Sequence, residues 1–326
     1  MPQLSAVIPV YNEQDSLSEL HRQLTSVCKT NGYDYEIIFI DDGSTDNSWA
    51  EIIDLQSTDA NVKGIRFRTN FGKAAALNAG FKQAQGDLVF TLDADLQDDP
   101  AEIPRFLDKL EAEELDVISG WKKRRLDPWH KVGPSRIFNS MVSRLTRVRL
   151  HDHNCGFKCY RRGVLSEVQL YGELHRFVPV LAAARGFRVG EITINHRKRI
   201  YGKSKYGVRR IVKGFLDLLT VYLLTGFGHR PQHFLGTLGL CCFGASGFIT
   251  LGLVGAWFVD RLGDQPPTFH LHERAIFYLA LFGIVIGIQL LATGFLAELV
   301  TKHTAKDDEI YAVRDTIGVN SNPSDH

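Results

Sequence analysis

Two long apolar segments near the end of the chain place the strongest limit on how it can fold. Residues 234–259 and 275–297 form runs of 26 and 23 residues without a single Asp, Glu, Lys or Arg. A helix needs about 20 apolar residues to cross a bilayer core, so both runs are long enough to be membrane spans. Frequent glycines in the first run favour close helix packing in lipid. The alternative is a pair of buried core helices in a soluble protein.

The rest of the chain differs from these runs in composition. Most charged residues lie in 1–213, and the whole chain balances 38 Lys and Arg against 37 Asp and Glu, for a formal net charge of +1. This balance argues against a nucleic-acid-binding protein that depends on overall basicity. With 44% hydrophobic residues the chain is also neither disordered nor collagen-like. The sequence therefore predicts a soluble head on a membrane anchor.

Cysteine usage and charge distribution predict where the head lies. The five cysteines form no C-x-x-C pair, which argues against a zinc site or a redox motif, and free thiols suit a reducing cytosol. The first residues lack the basic and apolar regions of a signal peptide. The stretch before the first span is strongly basic, whereas the loop between the spans has no excess of Lys or Arg. The positive-inside rule then predicts an integral protein of the cytoplasmic membrane with its head and C-terminus in the cytoplasm.

These patterns divide the chain into four parts. We expect a cytoplasmic head over 1–207 and interfacial helices over 208–233, because the apolar stretch 214–228 is too short to span but suits the membrane interface. The two transmembrane helices lie within 234–300, and a cytoplasmic tail covers 301–326. Because the spans are rich in glycine, they also permit association into a homo-oligomer.

The head alternates between strand and helix patterns. Runs such as YEIIFI at 35–40 are typical of a buried parallel strand, and apolar residues at helical spacing recur between such runs. This alternation predicts an α/β fold with a doubly wound, mostly parallel sheet. The basic region 122–149, interrupted by Pro128 and Pro134, is predicted to form a loop and a helix over the mouth of the site. The predicted strands are 4–10, 35–40, 62–67, 88–92 and 188–195, and the predicted helices are 15–30, 48–56 and 73–84.

Three of the predicted strands end in acidic or polar residues. The sequences PVYNE at 9–13, DDGSTD at 41–46 and DADLQ at 93–97 stand at these ends. In a parallel sheet all three meet at the edge where such folds bind ligands. Carboxylates packed close together repel one another, so we expect a cation between them. Asp93 and Asp95 can offer oxygens to one hard divalent cation, Mg²⁺ or Mn²⁺, that bridges the protein to a diphosphate.

These motifs, with the NFGK turn at 70–73, resemble the family-2 glycosyltransferases of the GT-A fold. The later motifs GWKKR at 120–124, DHNCGFK at 152–158 and RIYGKSK at 199–205 are similar to those of polyprenyl-phosphate glycosyltransferases, which include dolichol-phosphate mannose synthases and bactoprenol glucosyltransferases. The resemblance covers about residues 4–300. It implies an enzyme that transfers a hexose, with inversion, from a nucleotide sugar to polyprenyl phosphate, with UDP favoured over GDP.

The resemblance also implies roles for individual residues. Asp41 accepts a hydrogen bond from the base, and Asp152 positions the acceptor or takes up a proton; a loop cap, or a partner of Lys158 or Arg161, is the alternative for Asp152. The implied metal ligands, for Mg²⁺ or Mn²⁺, are Asp93, Asp95 and Gln97. The implied nucleotide-sugar-binding residues are Pro9, Tyr11, Glu13, Asp41, Asp42, Ser44, Asp93, Ala94 and Lys122. The implied phosphate- or acceptor-binding residues are Arg136, Arg199, Ser204 and Lys205, and the implied catalytic residues are Asp95, Asp152, Arg199 and Lys205.

One position departs from the family pattern. Lys122 stands where many relatives have arginine, and lysine is a point charge that offers no planar fork to a phosphate. Lys123, Arg124 or Arg125 could supply that contact instead. Downstream, His151 and His153 flank Asp152, and we interpret them as part of a polar loop near the site rather than as a metal-binding pair.

Two other functions share parts of this sequence pattern. A processive polysaccharide synthase has a similar first half, but it carries a downstream Gln-x-x-Arg-Trp motif and more spans, and this chain has neither. A non-catalytic membrane scaffold on a GT-A fold is the other alternative. The presence of Asp41, Asp42, Asp93, Asp95 and Arg199 argues against it, and nucleotide binding with and without Mg²⁺ separates the two.

Overall fold

The structure is a computed structural model that describes residues 2–123, 129–168, 174–195, 197, 218, 221, 231–262 and 268–304. The chain forms two compact units, Met1–Tyr222 and Leu223–His326. Most of the segment 208–233, which the sequence assigns to interfacial helices, lies outside the described residues. The domain boundaries given above therefore stay predictions.

A seven-stranded sheet forms the centre of the first unit. Its strands are β1 (Leu4–Val10), β2 (Tyr35–Asp41), β3 (Val62–Arg66), β4 (Leu88–Thr91), β5 (Val117–Trp121), β6 (Lys158–Arg161) and β7 (Val189–Thr193). They lie in the order β3-β2-β1-β4-β6-β5-β7. Strand β6 runs antiparallel to β4 and β5, and all other neighbours pair in parallel. The predicted mostly parallel sheet is confirmed, and one reversed strand joins its two parallel parts.

Helices cover both faces of this sheet. They are α1 (Gln14–Asn31), α2 (Ser48–Thr58), α3 (Lys73–Gln83), α4 (Ile103–Ala112), α5 (Trp129–Thr146), α6 (Arg162–Glu167) and α7 (Val178–Ala184). Strand β2 shows the consequence, because all seven of its residues are buried. Ile37 and Phe39 join the hydrophobic cluster on one face, and Ile38 and Ile40 join the cluster on the other. Burial of each such side chain stabilises the fold by about 1.5–3 kcal/mol. Because protein covers both faces of a central strand, both faces can consist of apolar residues.

Helix α5 lies within the basic region 122–149, where the sequence predicts a helix, and it runs through Pro134. Proline removes one backbone donor and clashes with the preceding turn, which costs about 3 kcal/mol in a helix interior. Later in the helix, Val142 is fully buried against Phe177 and Val180. This tertiary packing outweighs the local preference.

The second unit contains two long helices, α8 (Pro231–Leu262) and α9 (Ala275–Thr304). Within them, Gln232–Leu262 and Ala275–Val300 are long and apolar enough to cross a membrane. Only 6% and 11% of the residues in their most apolar windows are buried inside the protein. A buried helix pair in a soluble core would show the opposite, so this exposure favours the membrane alternative.

Candidate active site

The turns after β1 and β2 are joined by side-chain hydrogen bonds at the carboxyl edge of the sheet. The backbone N–H of Asn12 donates to Ser44 Oγ at 3.0 Å, and the N–H of Thr45 donates to Asn12 Oδ1 at 2.8 Å. Asn12 adopts a φ of 55°, a left-handed conformation that asparagine tolerates better than most residues. Asp41 Oδ1 accepts from the N–H of Ser44 at 2.8 Å. The predicted meeting of these two strand ends is confirmed.

Asp42 holds a third loop against this edge. Its two carboxylate oxygens accept hydrogen bonds from the N–H groups of Phe71 and Gly72 at 2.7 and 2.9 Å. Burial raises the pKa of Asp42, although the two N–H donors oppose the shift and Asp41 adds to it. The loop approaches so closely that a Cβ on Gly43, whose φ is +70°, would lie 2.6 Å from the carbonyl carbon of Thr69. Asp42, assigned to the nucleotide sugar from the sequence, therefore also organises the loop that leads into α3.

Basic side chains of the protein itself neutralise three carboxylates at this edge. Arg66 Nε lies 3.3 Å from Oδ2 of Asp41, and Lys122 Nζ lies 2.8 Å from Oδ1 of Asp98. Lys73 forms an ion pair with Asp93. Arg66, Lys122 and Lys73 thus provide the positive charge that we expect among the acidic strand ends. Sequence reasoning missed Arg66, Lys73 and Asp98, although Lys73 closes the NFGK motif.

The ion pairs shift the pKa values of their members. Burial raises the pKa of Asp93, but the ammonium of Lys73 outweighs that effect and lowers the pKa to about 2, with further help from Lys122 and His175. Burial likewise lowers the pKa of Lys122, but the carboxylate of Asp98 raises it above its ordinary value. Both side chains therefore stay charged at neutral pH. Lys122 is paired with Asp98 in the structure. Its contact with the nucleotide sugar therefore stays a prediction.

The turn after β4 presents the carboxylates that suit a metal. Leu96 has a φ of 59°, and the N–H of Gln97 donates to Asp95 Oδ1 at 3.2 Å. Within the described ranges no cluster of three or more His, Cys, Asp or Glu residues is arranged to enclose a metal ion. Two carboxylates at one strand end do fit Mg²⁺ or Mn²⁺ that shares its coordination with substrate phosphates. Asp93, Asp95 and Gln97 are the residues that would hold it.

Asp152 lies in a buried loop fixed by Glu191 on β7. Glu191 Oε1 accepts from the N–H groups of His151 and Asp152 at 2.7 and 3.0 Å, and Asp152 Oδ1 accepts from the N–H of Asn154 at 3.1 Å. The carboxylate thus caps its own loop, which is one of the alternatives that the sequence leaves open. Arg161, a suggested partner of Asp152, lies instead 3.8 Å from Asp116.

The two histidines that flank Asp152 have separate partners. The ring of His151 stacks on Trp121 at 4.0 Å between centroids, whereas His153 Nε2 lies 3.0 Å from Ser143 Oγ. They are therefore placed as parts of a loop and not as a metal-binding pair. Burial lowers the pKa of His153 to about 4, with a contribution from Lys158 that exceeds the opposing one from Asp152.

A polar cavity lies beside Asp93, and the sequence did not predict it. Lys158 is the most buried charged residue of this cavity. The sequence around it, FKCY, gives one indication of the buried charge, because the lysine stands between residues that are all buried. Thr91 Oγ1 donates to the carbonyl oxygen of Gly156 at 2.8 Å at its rim. The residues that line the cavity are Lys73, Leu77, Thr91, Asn154, Cys155, Gly156, Lys158, Tyr160, His175 and Arg176.

The other predicted site residues have these positions. Pro9 lies on β1, Tyr11 and Glu13 lie in the turn after it, and Ala94 is buried between the two aspartates after β4. Arg136 lies on α5, and its side chain is outside the described part of the chain. Arg199, Ser204 and Lys205 lie outside the described residues.

A mostly parallel sheet whose carboxyl edge carries cation-paired aspartates after β2 and β4 has the architecture of a GT-A glycosyltransferase. The model of the family described as glycosyl transferase family 2 matches residues 5–169, just over half of the chain, and the chain belongs to this family. The resemblance drawn from the motifs is confirmed. The protein is therefore a glycosyltransferase.

Curated relatives match over nearly the whole chain. The dodecaprenyl-phosphate galacturonate synthase of Rhizobium johnstonii is 34% identical over 94% of this chain and 90% of its own length. The undecaprenyl-phosphate 4-deoxy-4-formamido-L-arabinose transferase of Pseudomonas fluorescens is 36% identical over 90% of this chain and 83% of its own length.

A solved structure supports the fold. Glucosyl-3-phosphoglycerate synthase from Mycobacterium tuberculosis, in complex with Mn²⁺, uridine diphosphate and phosphoglyceric acid, matches 69% of this chain and 78% of its own with a TM-score of 0.54. At 14% identity the likeness extends to the fold alone.

Proposed function

We propose that this protein is a membrane-bound, inverting glycosyltransferase that moves a hexose from a nucleotide sugar, with UDP favoured over GDP, to polyprenyl phosphate. The carrying observation is the carboxyl edge of the sheet, where Asp93 and Asp95 follow β4 next to the joined turns of β1 and β2. The same chain carries two helices long enough to cross a membrane, which suits a lipid-linked acceptor. Two relatives that are named for polyprenyl-phosphate sugars support the acceptor class.

The edge divides into a nucleoside part and a phosphate part. Asp41 ends β2 and Ser44 follows it. One hydrogen bond joins these two residues and another joins Ser44 to Asn12 after β1, which presents a fixed surface to a base or ribose. Asp95, one strand further along the sheet, lies where the diphosphate arrives. In this arrangement Pro9, Tyr11 and Glu13 line the pocket from β1, with Asp42 and Ala94 beside it.

A divalent cation completes the phosphate part. Asp93, Asp95 and Gln97 would hold Mg²⁺ or Mn²⁺, which supplies positive charge to the leaving diphosphate. Lys73 and Lys122 neutralise the negative charge of the carboxylates next to them, so the carboxylates at this edge do not repel one another strongly. Arg199 and Lys205 add positive charge to the leaving group from the basic segment.

The acceptor requires little activation. Its nucleophile is a phosphate oxygen, which is already anionic at neutral pH, so no strong general base is needed. Asp152 is fixed by its own loop and by Glu191, and a fixed carboxylate suits the positioning of an acceptor. Arg136 and Ser204 complete the acceptor phosphate site, and the basic segment before the spans supports a cytoplasmic position of the head.

A transfer assay tests this function. The purified chain in detergent is incubated with undecaprenyl phosphate and labelled UDP- and GDP-sugars, with Mg²⁺, Mn²⁺ or EDTA, and label in the organic phase is measured. We expect transfer from UDP-sugars that stops with EDTA. Absence of both transfer and nucleotide binding would instead favour a non-catalytic scaffold, and a product that grows with time would favour a polymer synthase.

A further inference from the structure

The turn over residues 93–102, called here the β4 turn, holds the candidate metal ligands Asp95 and Gln97 in a conformation that needs outside support. Leu96 lies between these two residues with a φ of 59°. This left-handed conformation costs free energy for a residue with a large side chain. Contacts from other parts of the chain therefore help to decide whether the turn keeps its shape.

The segment after β7 lies along the β4 turn, although 93 positions of the chain separate Asn195 from Glu102. The backbone N–H of Asn195 donates to Glu102 Oε1 at 3.3 Å, and its side-chain amide donates to the same oxygen at 2.9 Å. Two residues further, the N–H of Arg197 donates to the carbonyl oxygen of Gln97 at 3.0 Å. The segment thus binds the turn both at a candidate metal ligand and at its far end.

The side chain of Arg197 adds two contacts to the one that its backbone makes. Its guanidinium forms an ion pair with Asp99 in the β4 turn, and its Nη1 donates to Gln23 Oε1 on α1 at 2.8 Å. Asp99 in turn accepts from the N–H of Ala101 at 3.0 Å through its other oxygen. Arg197 therefore holds the turn at two points, Gln97 and Asp99, and joins it to α1.

A phosphate contact is the alternative role for an arginine in the basic region before the spans. Bidentate binding of a phosphate uses the fork of N–H groups at the end of the guanidinium. In Arg197 the two nitrogens of this fork face the carboxylate of Asp99 and the amide oxygen of Gln23. The geometry therefore favours support of the turn over binding of a phosphate.

We propose that Arg197 is a positioning residue for the divalent cation, because it keeps Asp95 and Gln97 in the arrangement that binds the metal. This inference rests on the function proposed above and adds a residue that lies outside the motifs of the sequence. Groups that orient metal ligands from behind commonly contribute about 10–100-fold to metal affinity. Arg197 acts through Gln97 and Asp99 and not on the reactants, so its loss should weaken the binding of the cation and leave the chemical step intact.

The first measurement is the affinity for Mn²⁺ of the detergent-solubilised chain with saturating UDP, determined by calorimetry. Arg197→Met should weaken this affinity about 10-fold and raise the Mn²⁺ concentration for half-maximal transfer by the same factor. The kcat at saturating Mn²⁺ and the affinity for UDP without metal should stay within about twofold of the wild type. A fold that is loosened in general would instead lower kcat at every Mn²⁺ concentration.

Two further variants separate the position of the charge from its presence. Arg197→Lys keeps the backbone contact and a charge for Asp99, so it should retain most of the Mn²⁺ affinity. Arg188→Met is the matched control, because Arg188 precedes β7 at its other end and forms a half-exposed ion pair with Glu114. Its Mn²⁺ affinity should equal that of the wild type.

Three results would overturn the inference. Unchanged Mn²⁺ affinity in Arg197→Met would show that the turn does not need this residue. A lower kcat at saturating Mn²⁺, or a raised KM for undecaprenyl phosphate, with unchanged Mn²⁺ affinity would assign Arg197 to a substrate. A wild-type chain that transfers sugar but binds no Mn²⁺ would overturn the cation and this inference together and leave the transfer reaction standing.

A milder variant decides the question if thermal unfolding shows that Arg197→Met does not fold. Gln23→Met removes the hydrogen bond that α1 gives to Arg197 and leaves the β4 turn itself unchanged. It should weaken Mn²⁺ affinity about threefold, the effect of one hydrogen bond. A Mn²⁺ affinity equal to that of the wild type would then overturn the inference.

Discussion

The ammonium of Lys122 lies 2.8 Å from Oδ1 of Asp98, and the two side chains are 14% and 0% exposed. Position 122 therefore holds one member of a buried ion pair. Removal of one member leaves the other charge buried without a partner, which costs about 3–5 kcal/mol. The pair fixes the strand end of β5 to the turn after β4, on which the candidate metal ligands lie.

Lys122→Met should lower the apparent melting temperature of the detergent-solubilised chain by about 10 °C. Lys123→Met is the matched control, because Lys123 is an exposed neighbour, and its change should be within a few degrees. The double variant Lys122→Met with Asp98→Leu removes both charges and should recover most of the loss. A double variant as unstable as the single one would show that Lys122 contributes packing and not charge pairing.

Asp95→Asn should reduce transfer at least about 100-fold, because the amide removes one anionic ligand from a hard divalent cation. The melting temperature without metal should stay close to that of the wild type. Mn²⁺-dependent binding of UDP, measured by calorimetry, should weaken in parallel. Asp108→Asn on the exposed side of α4 is the control for charge alone. Full activity of Asp95→Asn would remove this residue from the metal site.

Gly43→Ala should destabilise the turn that carries Asp42. A Cβ at this position would lie 2.6 Å from a backbone carbon of Thr69, and the φ of +70° disfavours any L side chain, so the cost should exceed about 1 kcal/mol. Gly163→Ala in α6 is the control, because nothing lies within 4 Å of its Cβ, and it should be neutral or stabilising. Melting temperatures and UDP affinity measure both effects, and equal behaviour of the two variants would contradict the argument.

The sequence predicted those parts of the protein that depend on local pattern. Strand β2 is a continuous apolar run because both of its faces are covered, and this property is visible in YEIIFI itself. The joined turns at Asn12 and Ser44 follow from two parallel strands that end in polar residues. The two apolar helices follow from length and composition.

The rest depends on contacts between distant residues. Lys158 pairs with Thr91 only because β6 reverses and inserts between β4 and β5. Lys73, at the start of α3, meets Asp93 across 20 positions of the chain. Hydrophobic periodicity carries no information about strand order, so neither contact is visible in the sequence. Arg66, Lys73 and Lys122 supply positive charge at the acidic edge, and the divalent cation expected beside them stays a prediction.

His153 should make stability depend on pH in a defined window. Its ring is buried near Lys158 and Asp152, and burial lowers its pKa from 6.5 to about 4. Between pH 4 and 6.5 the unfolded chain therefore binds more protons than the folded chain. The neutral ring contributes its full stabilisation above pH 6.5, and this stabilisation is lost as the pH falls towards 4. The full effect is about 3 kcal/mol. His153→Gln should flatten the melting temperature between pH 6.5 and 4.5, and an unchanged slope would assign the loss to other groups.

The glycines of the two apolar helices should differ in their tolerance of larger side chains. A Cβ on Gly287 of α9 would lie 2.7 Å from the backbone nitrogen of Phe243 on α8, whereas Gly247 has nothing within 4 Å. Because apolar burial drives little association between helices in lipid, close backbone contact at small residues holds such a pair together. Gly287→Leu should therefore lower the melting temperature in detergent by several degrees, and Gly247→Leu should change it little. Equal losses in both variants would show that Gly247 also lies at an interface, with a second copy of the chain as the partner to test by cross-linking.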